Sequence, residues 1–182
     1  MEELFEKQIA TEKIFDGVVV KLRKDKAVLA DGSEVYREVV EHPGGVGIAL
    51  EDEEGKFFFV KQWRYAQEKV LLEFPAGKKE PGEDPFITAQ REIAEETGYT
   101  GKDFLYLGQM VPTGAYDSEV IDFYYAKIDQ KVGQHLDEDE RIHVYRYTLD
   151  EIIEMVMNKE LSDGKTIAMA FMVRELKRQG KI

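Results

Sequence analysis

The stretch GKKEPGEDPFITAQREIAEETGYT, from Gly77 to Thr100, constrains the fold of this chain more than any other. A Gly- and Pro-containing loop ends at Asp84-Pro85. An Asp side chain can accept the free amides of a first helical turn, and Pro has no amide to leave unpaired there. Gly98 is a natural stop, because helices commonly end on a residue in the left-handed conformation. The segment between is therefore a helix. At about 3.6 residues per turn, Glu92 and Glu96 stand one turn apart and Glu95 lies about 60° to one side. Phe86, Ala89, Ile93 and Thr97 line roughly the opposite face, where a core belongs. Like charges at these spacings repel by roughly 0.2–0.5 kcal/mol per pair on an isolated helix. In a cleft the repulsion grows, and a raised pKa or a bound cation relieves it. Carboxylate oxygens suit hard divalent ions, Mg²⁺ or Mn²⁺ above all where phosphate oxygens share the coordination.

Around this helix the chain alternates strands and turns. IFDGVVVKL and KAVLADGSEVYREVV read as strands, with Asp31-Gly32 as a tight turn. His42-Pro43-Gly44-Gly45 separates them from a hairpin, VGIALEDEEGKFFFVKQWRYA, that turns at Asp52 to Gly55. The GGVG run leads into a strand rather than from a strand into a helix, so it is not a dinucleotide-binding loop. LLEFPAG follows as a strand; FLYLGQMV, VIDFYYAKI and the segment after LDEDER are strand-like; LDEIIEMVMNKE and SDGKTIAMAFMVRELKRQ are helices. The total is a mixed α/β architecture.

Charge and composition narrow the function. The 182 residues carry a net charge of −12, which disfavours nucleic acid or an anionic membrane as the main partner. With no cysteine there is no disulfide, thiol nucleophile or Cys-bound zinc. The N-terminal MEELFEKQIATEK lacks the apolar run of a signal peptide, and no run approaches the roughly 20 residues of a membrane span, so a cytoplasmic location is expected.

Spacing turns the acidic helix into a motif. Gly77 is followed by five residues, Glu83, seven residues, and then Arg91-Glu92-Ile93-Ala94-Glu95-Glu96-Thr97-Gly98-Tyr99. This resembles the Nudix box, Gly-x5-Glu-x7-Arg-Glu-U-x-Glu-Glu-x-Gly-U with U apolar, and every fixed position is filled. The resemblance implies an α/β/α sandwich around a mixed sheet and an enzyme that cleaves a nucleoside diphosphate linked to another moiety by water attack on phosphorus. It implies Mg²⁺ or Mn²⁺ held by Glu92, Glu95, Glu96 and the carbonyl of Ala76. Arg91 orients the box glutamates in this pattern, and Glu83 caps the loop.

YREVVEHPGGVGIAL, FFFVKQWRYA and LLEFPAGKKEPGE are similar to the ADP-ribose pyrophosphatase and nucleoside-diphosphate-sugar hydrolase branch, over about Thr11 to Tyr147. That branch implies a homodimer in which a β section, here residues 1–41, exchanges between subunits beside a hydrolase domain at 42–182. It implies substrate contacts from Arg37, Arg64, Glu73 and Glu119. It also implies catalysis from the acidic loop LDEDER, with Glu138 as general base and Glu140 as an added metal ligand. Two departures touch the substrate: Val18 follows Gly17 where relatives often stack an aromatic on the base, leaving Phe15 or Tyr36 for that role, and Val111-Pro112-Thr113-Gly114-Ala115 lacks the Pro-Gly pair of the usual turn. A nucleotide sensor on the same fold would show a broken box and a DNA-binding segment. A calcium-binding reading of Asp137-Glu138-Asp139-Glu140 lacks the glycine of an EF-hand loop. A nucleoside triphosphate pyrophosphatase would ordinarily lack the N-terminal section.

Overall fold

The computed structural model describes residues 2–138 and 140–182, so Asp139 of the acidic loop lies outside it. The chain divides into two compact units. The first runs up to Gly44 and includes Val111–Val120; the second comprises Gly45–Met110 and Ile121–Ile182.

The first unit is a three-stranded antiparallel sheet of β1 (Lys7–Asp16), β2 (Lys21–Val28) and β3 (Glu34–Glu41), in that order. Gly32 closes the expected turn between β2 and β3, with φ of 86° and its amide on the Leu29 carbonyl at 3.0 Å. Two details depart from the sequence reading. The first strand begins at Lys7 rather than Ile14, and IFDGVVVKL does not run straight, because the Gly17 amide turns back onto the Val20 carbonyl at 2.9 Å. Opposite charges favour pairing in so polar a segment: Glu12 lies across from Lys24 and Asp16 from Lys21 on the ladder, although Lys13 faces Arg23. The Val111–Val120 segment joins this unit through the Val40 amide on the Tyr116 carbonyl at 2.8 Å and the Ser118 amide on the Val40 carbonyl at 3.0 Å.

The second unit is built on a seven-stranded mixed sheet. Its strands are β4 (Gly45–Glu51), β5 (Phe57–Arg64), β6 (Lys69–Glu73), β7 (Ala76–Lys78), β8 (Tyr99–Met110), β9 (Ile121–Lys131) and β10 (Ile142–Tyr147). The order is β10-β5-β4-β9-β8, with β6 beside β5 and β7 beside β4. β4 and β9 are parallel, and the remaining pairs are antiparallel. Helix α1 (Pro85–Thr97) covers one face, burying Ala89 and Ile93 on Val46, Ile48, Leu50 and Phe58. Helices α2 (Leu149–Met157) and α3 (Gly164–Arg178) cover the other, where Ile152, Met169 and Val173 meet Phe57, Phe59, Phe74 and Phe123. This is an α/β/α sandwich, as the box resemblance implied. The unbroken apolar run FFFV follows, since a strand between two helical layers has no wet face. Gly47 lets α3 approach closely: a Cβ there would lie 2.9 Å from the Met169 sulfur.

LLEFPAG is two strands rather than one. β6 pairs with β5 and β7 with β4, and Phe74-Pro75 carries the chain between them. Pro75 has no amide to give a ladder, but its carbonyl accepts from Ile48 at 2.9 Å. The helix after the loop is bounded as expected. Asp84 accepts from the Phe86 amide at 2.8 Å, and Gly98 ends the helix at φ of 77°, its amide on Ala94 at 3.0 Å. No helix among the described residues is long and apolar enough to cross a membrane.

Candidate active site

Arg91 is the hub of the loop–helix segment. Its Nη1 donates to Glu92 at 2.8 Å and to Glu95 at 3.0 Å. Its Nε and Nη2 donate to the two Glu83 oxygens at 3.2 and 3.1 Å, and Nη2 also reaches the Lys78 carbonyl at 3.2 Å. Glu83 accepts in addition from the Glu80 amide at 3.0 Å and the Thr88 hydroxyl at 2.9 Å. The Arg91 contact first, then these donors, hold its carboxyl at a pKa of about 2. Glu83 thus ties the loop to the helix as a permanent anion, and the same contacts raise the pKa of Arg91.

Glu96 is not on a solvated face. Only 2% of it is exposed, and its Oε2 accepts from the Ala76 amide at 3.0 Å. Burial pushes its pKa up to about 8, against that amide, with the charges of Glu92, Glu140 and Glu73 adding to the rise. Burial likewise takes Glu92 to about 7, opposed by Arg91 and assisted by Glu95 and Glu140. Gly77 makes the room for this arrangement: a Cβ on it would fall 1.9 Å from the Glu92 carboxyl carbon. Phe86, expected on the core face, is partly exposed and packs edge-on against Phe104.

Other expected site residues fall in distinct places. Arg64 forms a two-pronged pair with Glu73, both bonds at 2.7 Å, and Glu73 is fully buried. Burial works to raise the Glu73 pKa, but the Arg64 and Lys165 cations outweigh it and the net shift is downward. A strand-end Glu in that setting is no surface cap. Sequence reading missed Lys165, which also donates to Glu73 and bridges to Asp163 at 3.1 Å. In sequence, Asp-Gly-Lys-Thr reads as a helix start and nothing more. Glu140 lies near enough for its charge to act on Glu92 and Glu96, whereas Glu138 is exposed and its carbonyl accepts from Arg141 at 2.9 Å. Arg37 and Glu119 belong to the first unit. There Arg37 pairs with Glu6 at 2.9 and 2.7 Å, and Glu119 lies 3.5 Å from the His42 imidazole.

A model of the NUDIX domain matches residues 41–170. The chain belongs to the Nudix family. It is 41% identical to the methanol dehydrogenase activator of Bacillus methanolicus, covering 92% of each chain. It is 38% identical to the ADP-ribose pyrophosphatase of Bacillus subtilis, covering 97% of this chain and 96% of that one. An ADP compounds hydrolase of known structure shares the fold at a TM-score of 0.83, with 19% identity over 97% of both chains.

The Nudix residues suit a divalent cation by their own chemistry. Among the described residues no three His, Asp or Glu side chains converge as a ready ligand set, and one Arg91 nitrogen draws oxygens of both Glu92 and Glu95 to itself. The donors are nonetheless all hard oxygens. Two of the carboxylates are held in an environment that favours either a proton or a metal, and glycine at position 77 leaves the space that the Glu92 carboxyl fills.

Proposed function

We propose that this Nudix protein hydrolyses the pyrophosphate bond of nucleoside diphosphate sugars, ADP-ribose and GDP-mannose among them, to a nucleoside monophosphate and a sugar phosphate. The observation that carries the reading is the closed box: Arg91 binds Glu83, Glu92 and Glu95 together while Ala76 holds Glu96 beside them. The ADP-ribose pyrophosphatase relative, alike along nearly its whole length, supports the substrate class.

Glu92, Glu95, Glu96 and the Ala76 carbonyl would hold Mg²⁺ or Mn²⁺, with Glu140 as a further ligand. Bound there, the ion would neutralise the diphosphate and lower the pKa of water. Arg64, pre-oriented by Glu73, offers the substrate phosphates a planar donor. Arg37 and Glu119 complete the substrate contacts in this reading, with Arg37 supplied by a second copy of the chain. Water adds its oxygen to one phosphorus, the bridging oxygen departs with the other phosphate, and Glu138 takes the proton. An exposed residue on a loop is a reasonable carrier for that base, since the loop can close when substrate binds. A homodimer accounts for the first unit, where all ten residues of β1 and the apolar Leu4, Phe5, Ile9, Ile14 and Phe15 are exposed. Val18, fully exposed where an aromatic would stack on the base, supports a permissive enzyme. Base stacking is worth roughly 1–3 kcal/mol where measured.

The test is purified protein with Mg²⁺ or Mn²⁺ against ADP-ribose, GDP-mannose, UDP-glucose, NADH, diadenosine polyphosphates and deoxynucleoside triphosphates, with products identified. Splitting of ADP-ribose and at least one other sugar nucleotide is expected, reduced at least ~100-fold by Glu96→Gln. A strong preference for triphosphates or dinucleoside polyphosphates overturns the substrate class. A second reading rests on the 41% identical relative: stimulation of a methanol dehydrogenase, tested by adding the protein to that enzyme's assay with and without Glu96→Gln.

A further inference from the structure

The start of α3 is fastened to the strand end that leads into the box. Asp163 caps the helix by accepting from the Thr166 amide at 2.9 Å. The next two side chains then reach across to consecutive residues. Thr166 accepts the Phe74 amide on its hydroxyl at 2.9 Å, and Thr166 and Phe74 are both fully buried. Lys165 donates to Glu73, which also carries the Arg64 pair. From Phe74 the chain passes Pro75, tied to Ile48, and arrives at Ala76 and Gly77. Those two residues set the box: the Ala76 amide holds Glu96, and the bare backbone of Gly77 receives Glu92. Residues 73–77 therefore run from a mount on α3 to contacts with α1, the helices of opposite faces of the sheet.

We infer that Lys165 and Thr166 are positioning residues for the carboxylate cluster, acting through Glu73 and Phe74 on the placement of Ala76 and Gly77. The inference rests on the metal-dependent hydrolase reading above. Both side chains spend a polar group on this segment: the Lys165 ammonium is divided between Glu73 and the cap Asp163, and the Thr166 hydroxyl satisfies the amide of a fully buried residue. Losing the hydroxyl while keeping its shape frees the Phe74 amide to move, and with it the backbone three residues before Gly77. Lys165 has a second consequence, because releasing Glu73 from its ammonium leaves Arg64 as that carboxylate's remaining cation.

The experiment compares Thr166→Val, Thr166→Ser, Lys165→Met and Lys165→Arg with the unaltered protein. Mn²⁺ binding is measured by calorimetry on the metal-free proteins, the Ala76 and Gly77 amides are followed by NMR, and kcat, KM and the Mg²⁺ half-saturation are determined with ADP-ribose. Supports of metal ligands typically contribute 10–100-fold to affinity. Thr166→Val and Lys165→Met should weaken Mn²⁺ binding about 10-fold or more, raise the Mg²⁺ half-saturation in step and shift both amides. Thr166→Ser should restore binding, and Lys165→Arg should restore part of it. A merely structural role would lower the melting temperature and leave Mn²⁺ affinity unchanged in the folded protein, which overturns the inference. If one variant fails to fold, the other decides. An unaltered protein that binds Mn²⁺ but splits no sugar nucleotide defeats the functional reading alone, whereas normal hydrolysis with unchanged Mn²⁺ affinity in the variants defeats the inference alone.

Discussion

Replacing Gly77 with alanine should disable the site with little cost to the fold. The added Cβ would sit 1.9 Å from the Glu92 carboxyl carbon and 2.0 and 2.2 Å from its oxygens. Unstrained carbon contacts need about 3.5 Å, so the carboxyl must retreat by about 1.5 Å. Gly77 is not in the left-handed region, so alanine meets no backbone strain there. Alanine also restricts the unfolded chain, worth about 0.4–1 kcal/mol in favour of folding. Against this stand an off-rotamer Glu92, about 0.5–1.5 kcal/mol, and one weakened bond to Arg91, of similar size. The net change in stability is then a loss between about zero and 2.5 kcal/mol, about 1.3 at the midpoints of these ranges. A displacement of about 1 Å in a reacting constellation costs on the order of 100-fold in rate. Steady-state hydrolysis with saturating Mg²⁺ should therefore fall at least ~100-fold, while the urea midpoint stays near that of the unaltered protein. Near-normal turnover would refute the reasoning. So would a loss of several kcal/mol, since the collision would then be with rigid packing rather than a movable side-chain tip.

Glu138→Gln should lower kcat far more than it changes KM in the same assay, and an unchanged kcat moves the base to Glu119 or the box. Glu92 and Glu96 keep their protons to about pH 7 and about pH 8 in the folded chain, against an ordinary value of 4.5. Between these limits the folded state binds more protons than the unfolded one, so metal-free protein should lose stability as pH rises from about 5 to 8. Mg²⁺ should then raise the melting temperature more at pH 8 than at pH 6; melts in EDTA and in Mg²⁺ showing no such difference would contradict it. Inactive Arg37→Ala and Glu96→Gln chains, mixed with subunit exchange, should regain some activity, and sedimentation as a monomer at micromolar concentration would rule that out.

The loop–helix segment was legible because each of its signals is local. A cap, a proline, a stop glycine and a fixed spacing of carboxylates all act within a few residues of themselves, and α1 begins and ends where they say. Helical periodicity placed Glu96 with the other carboxylates but could not see how deeply it is buried: it sees one helix, whereas the burial of Glu96 comes from β7 arriving from outside with the Ala76 amide. The split of LLEFPAG was hidden in the same way, since β6 and β7 differ only in which neighbour each pairs with. Lys165 could not be read at all. Its meaning depends on a buried glutamate 92 positions away, and nothing in a run of Asp-Gly-Lys-Thr reports that distance.

The wiring around Arg91 bears on how such a site could be moved to another protein. One guanidinium spans Lys78, Glu83, Glu92 and Glu95, so the residues from 77 to 98 largely correct their own geometry and form a cassette. The cassette is not free-standing, because its upstream end takes its bearing from α3 through Thr166 and Lys165. A transplanted cassette would keep its internal shape and arrive at the wrong angle. A host sheet would have to bring its own counterpart of that two-residue mount, and a recipient chosen for the match of its strands alone would hold a well-formed box aimed at nothing.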